Sequence, residues 1–181
     1  MSRATSWEAA LVLPVSPARD HIRGIVDAPL TLVEYGDYEC PHCAAAHGVV
    51  GQLMAELVDS LRLVFRNFPL TTVHPRAETA AGAAEAAGAQ DRFWSMHDAL
   101  FENQARLEDA DLLAYARTLG LDVERFRDDV ARHAFAARIR EDFMSGVRSG
   151  VNGTPSFYVN GHRHDGMWDL ESLLAALRSA V

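Results

Sequence analysis

Lysine is absent from this chain, and every one of its 17 basic residues is arginine. No side-chain amine is left for Schiff-base chemistry, and a phosphate loop that depends on lysine is excluded. The acidic residues leave a net charge of −8, which argues against a nucleic-acid partner, whose phosphates call for a basic patch. Long apolar runs are missing too. No stretch approaches the ~18 residues of a membrane span. The run at 9–13, preceded by Arg3 and stopped by Pro14, falls short of the about 7–15 apolar residues of a secretory signal. As written, the chain is expected to be cytoplasmic and not inserted in a membrane; removal of a signal peptide would place it in the periplasm or outside the cell. Cysteine is the third scarcity. There are two, so the second cysteine pair of a zinc ribbon is not available.

Those two are Cys40 and Cys43, one helical turn apart and therefore able to close on each other. The run 31–35 reads as a strand, while 44–58 carries Val50, Leu53, Met54, Leu57 and Val58 at helical spacing. Cys40 then caps a helix, with Pro41 at the first helical position, where a missing amide hydrogen costs nothing. Unpaired amides and the positive dipole end face the sulfur, and the thiolate they favour is the reactive form of cysteine. His42 adds a second field, because an imidazolium or ring donor beside the sulfur also favours its charged form. Cys43 shares a stripe with Val50, Leu53 and Leu57 that packs on the strand. Cys40 is thus expected as the exposed attacker and Cys43 as the shielded resolver. Asp37 and Glu39 read as solvated loop charges.

The stretch from Glu34 through Cys43, with Gly153-Thr154-Pro155 far downstream, resembles the DsbA-like branch of thioredoxin-fold thiol–disulfide oxidoreductases. Cys-Pro-His-Cys is the version of the dipeptide typical of that branch. The resemblance implies exchange of disulfides with protein thiols and disulfides, a redox-recycling partner, and no organic cofactor. It also implies a cis peptide bond between Thr154 and Pro155, packed beside the Cys40 sulfur, and a Thr154 backbone free to pair with an extended substrate. Glu34 takes the Cys43 proton during resolution in the same reading. From the residues alone, Glu34 is equally a strand-end carboxylate that escapes to solvent.

The remainder of the chain is consistent with an α/β architecture. The alternation at 61–66 gives a strand parallel to the first, reached through the motif helix. From about 74 to 149 the pattern stays helical, with segments at 77–89, 93–101, 109–119, 123–132 and 135–147, too long a stretch for a loop. A hairpin follows at 156–164, turning at Asn160-Gly161, and Asp169 caps a final helix with Leu170, Leu173, Leu174 and Leu177 inward. The expected fold is a thioredoxin fold with an all-helical subdomain inserted between the second motif strand and the C-terminal hairpin: 1–73 and 150–181 form the thioredoxin domain, 74–149 the insert.

Two other functions use the same residues. A cytoplasmic reductase or isomerase would run the pair in the opposite sense, because a strongly oxidising couple rests reduced against cytosolic glutathione. A thioredoxin-fold binding protein would hold a metal or peptide instead. A mononuclear site can be drawn from the two cysteines, His42 and His47, but a hydrogen-bonded helix histidine is the better reading of His47, a core histidine that of His97, and no metal is assigned. His162 and His164 on an edge strand resemble a metal pair only weakly.

Overall fold

The computed structural model describes residues 10–180; Arg3 and Ala9, the first residue of the apolar run discussed above, lie outside the described residues. The elements in order are β1 (His21–Gly24), β2 (Leu30–Gly36), α1 (Pro41–Glu56), β3 (Leu61–Asn67), α2 (Ala77–Gly88), α3 (Phe93–Glu102), α4 (Asp109–Thr118), α5 (Val123–Ala131), α6 (Ala136–Ser149), β4 (Ser156–Val159), β5 (His162–His164) and α7 (Leu170–Ser179). One sheet runs in the order β1-β3-β2-β4-β5. β2 and β3 are parallel across the α1 crossover, and the other pairings are antiparallel. This is a thioredoxin core with five helices spliced between β3 and β4.

Alternation sorts the strands into two faces. Leu30, Leu32, Leu61, Leu63, Phe157 and Val159 pack with Ala46, Val50 and Leu53 of α1 and with Leu173 and Leu177 of α7. Val33, Tyr35, Val64 and Tyr158 form the opposite face, against Phe68, Val151 and the partly buried Phe143 of α6. By the same parity Glu34 falls on the α1 face, opposite Phe65 on one side and Phe157 on the other.

The inserted helices share their core with the motif. The alanine face of α2 packs with Met96, Leu100 and Phe101 of α3, and the same cluster takes in Tyr38, Cys40, Cys43 and Phe65. Methyl-sized side chains bring α2 close to its neighbours, which is what an alanine-rich, periodically apolar helix is suited to do.

Two elements depart from the sequence reading. β1 was not expected; its four residues include a single strongly apolar one, Ile22, yet they extend the sheet along the free edge of β3 with Ile22 opposite Val64. α1 closes at Glu56, and Val58, placed in the helical stripe by spacing, is 61% exposed. The hairpin turn forms as expected, with Asn160 and Gly161 both at positive φ, 46° and 86°.

A buried arginine ties the N-terminal segment to the sheet. Arg66 of β3 has no exposed surface; its Nε and Nη2 donate to the Asp20 carboxylate at 3.0 and 3.2 Å, and its Nη1 donates to the Tyr35 hydroxyl at 2.9 Å and the Leu13 carbonyl at 2.9 Å. Removing Asp20 leaves an uncompensated guanidinium inside the protein. Asp20→Ala is expected to cost about 3–5 kcal/mol, read as a lowered urea midpoint in equilibrium unfolding with an unchanged slope.

Candidate active site

The chain turns from β2 into α1 through Asp37, Tyr38 and Glu39, so the redox pair sits where a strand ends and a helix begins. Cys40 is the N-cap residue, in extended conformation at φ −74° and ψ 119°, and Pro41 occupies the first helical turn. Both cysteines are thiols here. Across the motif lies the loop before β4, where the Thr154–Pro155 peptide bond is cis. The Thr154 carbonyl is 3.5 Å from the Cys40 sulfur and accepts its proton in the thiol form.

The two sulfurs are driven apart in acidity. A hydrogen bond from the Cys43 thiol is the largest influence on Cys40; it outweighs the cost of burial, and the Thr154 side chain and the amides of Cys43 and His42 add to it, lowering Cys40 from 9.0 to about 5. The Thr154 hydroxyl is buried and makes no other hydrogen bond, so it is free to turn toward the sulfur. Cys43 has no exposed surface. Burial pushes its thiol far above the ordinary range, and its bond to Cys40 and the nearby Glu34 charge push the same way, against a single amide donor, that of Asp37 at 3.5 Å.

Glu34 does not escape to solvent. It is buried, not solvent-seeking, and burial followed by the Cys40 charge raises its carboxyl from 4.5 to about 8. One carboxylate oxygen, Oε1, has no hydrogen-bond partner. Phe65 and Phe157, its cross-strand neighbours, explain the desolvation. A Cβ on Gly36 would meet the Phe65 ring at 2.4 Å and Glu34 Oε1 at 3.3 Å, so only glycine fits the strand end beside this acid.

Three expectations need correction. Cys40 was expected to be exposed and keeps only 4% of its surface, because the inserted helices close over the motif. The His42 ring stands edge-on to Trp168 with centroids 6.4 Å apart, and it is the His42 amide, not the imidazole, that counts among the influences on Cys40; a side chain at the helix start splays outward while the amides converge. Asp37 is buried rather than solvated. Its carboxylate accepts from the Glu39 amide, the Leu70 amide and His74 Nδ1, each at 2.8 Å, and fastens the motif to the loop after β3. Glu39 is half-buried, accepting from the Arg76 amide at 2.5 Å.

Gln104 was not foreseen. Its Nε2 donates to the carbonyls of Tyr38 and Cys40 at 2.9 and 2.8 Å, tying the inserted helices to the motif, and an isolated glutamine in a loop carries no signal of that in sequence. Trp168, beside His42, was not foreseen either. The zinc arrangement drawn from the cysteines, His42 and His47 does not assemble: His47 turns toward His97 and Phe101, with ring centroids at 5.4 and 5.2 Å.

Comparison with known proteins matches a family model described as thioredoxin over residues 17–179. A thioredoxin-like oxidoreductase from Silicibacter pomeroyi DSS-3 has a similar structure, with a TM-score of 0.80 at 30% identity over 91% of this chain and 93% of its own. Oxidised BdbD from Bacillus subtilis has a TM-score of 0.82 at 22% identity, covering 96% of each chain, a likeness of fold. A relative named Na(+)/H(+) antiporter NhaA 1, from Salinispora arenicola, is 51% identical over 170 residues, 94% of this chain and 26% of its own. The chain thus spans about a quarter of the length of the first curated relatives it matches.

The acidity of Cys40 gives a direct test. Iodoacetamide labelling of the dithiol protein is expected to have its midpoint near pH 5, and Cys43→Ala, which deletes the strongest donor, to move that midpoint upward toward the ordinary thiol range. Stability follows the same charge. Because the folded thiol ionises below its unfolded counterpart, Cys40 contributes stability to the dithiol form that grows as pH rises from about 5 toward 9 and is lost as pH falls through 5, while Glu34, raised from 4.5 to about 8, contributes in the opposite sense between those values. The disulfide form has no thiol to titrate, so the urea midpoint of the dithiol form is expected to rise relative to that of the disulfide form between pH 5 and neutral pH.

Proposed function

The chain belongs to the thioredoxin family, in its DsbA-like form with a helical insert and a Cys-x-x-Cys pair, and on that premise we propose that it exchanges disulfides with protein substrates through Cys40 and Cys43. The observation that carries the reading is the split between the two sulfurs: Cys40 is lowered to about 5 while Cys43 is pushed far up. In the disulfide form a substrate thiolate attacks Cys40 Sγ, the Cys40–Cys43 bond breaks, and Cys43 leaves with the electron pair and takes a proton. Glu34, raised to about 8 and so largely protonated at neutral pH, is positioned to supply it. A second substrate thiolate then attacks its partner sulfur in the mixed disulfide and releases Cys40 as a stable thiolate. The substrate has lost two electrons and gained a disulfide; the protein has become the dithiol.

Run in reverse, the Cys40 thiolate attacks a substrate disulfide, and Cys43 closes on Cys40 after Glu34 accepts its proton. The low pKa of Cys40 favours the first direction, since stabilising the thiolate stabilises the dithiol and makes the disulfide the stronger oxidant. That direction in turn favours an oxidising compartment over the cytoplasm. His42 and Pro41 act through the helix start they form. Thr154 and Pro155 offer the facing edge on which an extended substrate pairs. The name of the antiporter relatives adds a membrane antiporter to the candidate partners, beside an unidentified protein that recycles the pair.

Cys43→Ser removes the resolving sulfur and is expected to accumulate mixed disulfides on Cys40 with reduced-protein substrates, visible as thiol-sensitive bands on non-reducing gels; a variant that traps nothing argues for a binding protein without turnover. Glu34→Gln is expected to slow decay of the mixed disulfide by about 10²-fold or more in single-turnover measurements while leaving the Cys40 labelling midpoint low.

A further inference from the structure

One helical turn beyond the redox pair, two histidines and a carboxylate converge from two helices. His47 lies one turn after Cys43 on α1, and His97 and Asp98 are consecutive on α3. One ligating atom from each lies within 4.8 Å of the other two. We infer that His47, His97 and Asp98 form a binding site for a divalent transition-metal ion of the zinc type, joining the motif helix to the helical insert.

The donor set is the first argument. Two imidazoles and one carboxylate suit zinc and its transition-metal neighbours rather than calcium or magnesium, and three protein ligands leave one position open. The state of each donor is the second. Asp98 Oδ1 is buried without a hydrogen bond, with His47 Nε2 3.7 Å away, while Oδ2 accepts from Arg23 at 2.6 Å. Arg23 therefore orients the carboxylate through one oxygen and leaves the other unserved. His97 is oriented in the same manner: its Nδ1 pairs with the Tyr38 hydroxyl at 3.0 Å, leaving Nε2 to a ligand, as metal-binding histidines are commonly held. Phe101, stacked on His47, and Trp94 and Phe65, edge-on to His97, pack around the two rings, while His47 and Asp98 keep an opening to solvent. The Arg23 charge opposes the ion, and Glu102, which acts on His47, favours it.

The site stands independently of disulfide exchange, and the test keeps the two apart by using the oxidised protein, whose sulfurs are bonded to each other and poorly suited as metal ligands. Isothermal titration with zinc chloride is expected to show one equivalent bound per chain, and cobalt(II) to give visible d–d bands without thiolate charge transfer. His47→Ala, at a half-exposed position, and Asp98→Asn are each expected to weaken binding by more than about 100-fold, and Tyr38→Phe by about 10–100-fold, with circular dichroism unchanged. Failure of the oxidised wild-type protein to take up zinc overturns the assignment, as does retention of wild-type affinity by His47→Ala. Mixed-disulfide trapping by Cys43→Ser is expected to continue in either case, so its loss would count against the exchange reading alone.

Discussion

Holding negative charge on the Cys40 sulfur is the requirement around which the rest of the site is arranged. The donors come from one helix start and one facing loop: the Cys43 thiol, the Thr154 side chain and two amides of the first turn of α1. None of them is an ionised base. The sulfur is served by short-range hydrogen bonds in a nearly covered setting, where each is stronger than it would be in water. The same covering makes Cys43 hard to ionise and keeps the Glu34 proton in place at neutral pH, so one environment lowers one pKa and raises two others. The sign depends on whether donors or desolvation prevail at each atom.

That division rests on strand parity. Glu34 reaches the α1 side because it alternates with Leu32 and Leu30, and it is dry because Phe65 and Phe157 stand opposite it. A slip of one residue in the pairing of β2 would turn the carboxyl to the other face and remove it from the sulfurs. The parallel pairing of β2 with β3 and the antiparallel pairing with β4 fix that register from both sides.

Much of this was readable in the residues. The period-2 run at 61–66, the Asn-Gly turn and the Asp169 cap are local signals with local causes, and the strand, crossover helix and strand follow from them. The Cys-Pro-His-Cys turn announced its helix start, and the helical character of 74–149 was plain from its length and spacing. What escaped was set by contacts between distant segments. β1 owes its existence to the free edge of β3 rather than to its own composition. Asp37 reads as a loop acid until Leu70 and His74 are brought beside it. Cys40 reads as exposed until α3 and the loop carrying Gln104 are laid over it, and the approach of His47 to His97 and Asp98 depends on how α1 and α3 cross, which neither helix specifies alone.

Gln104 has a mechanical implication. Its single carboxamide is bonded to two successive bends of the motif backbone, at Tyr38 and Cys40, and it belongs to the loop that leaves α3. A displacement of that loop is therefore passed to the cap residue of α1 through one side chain, with no hinge in between.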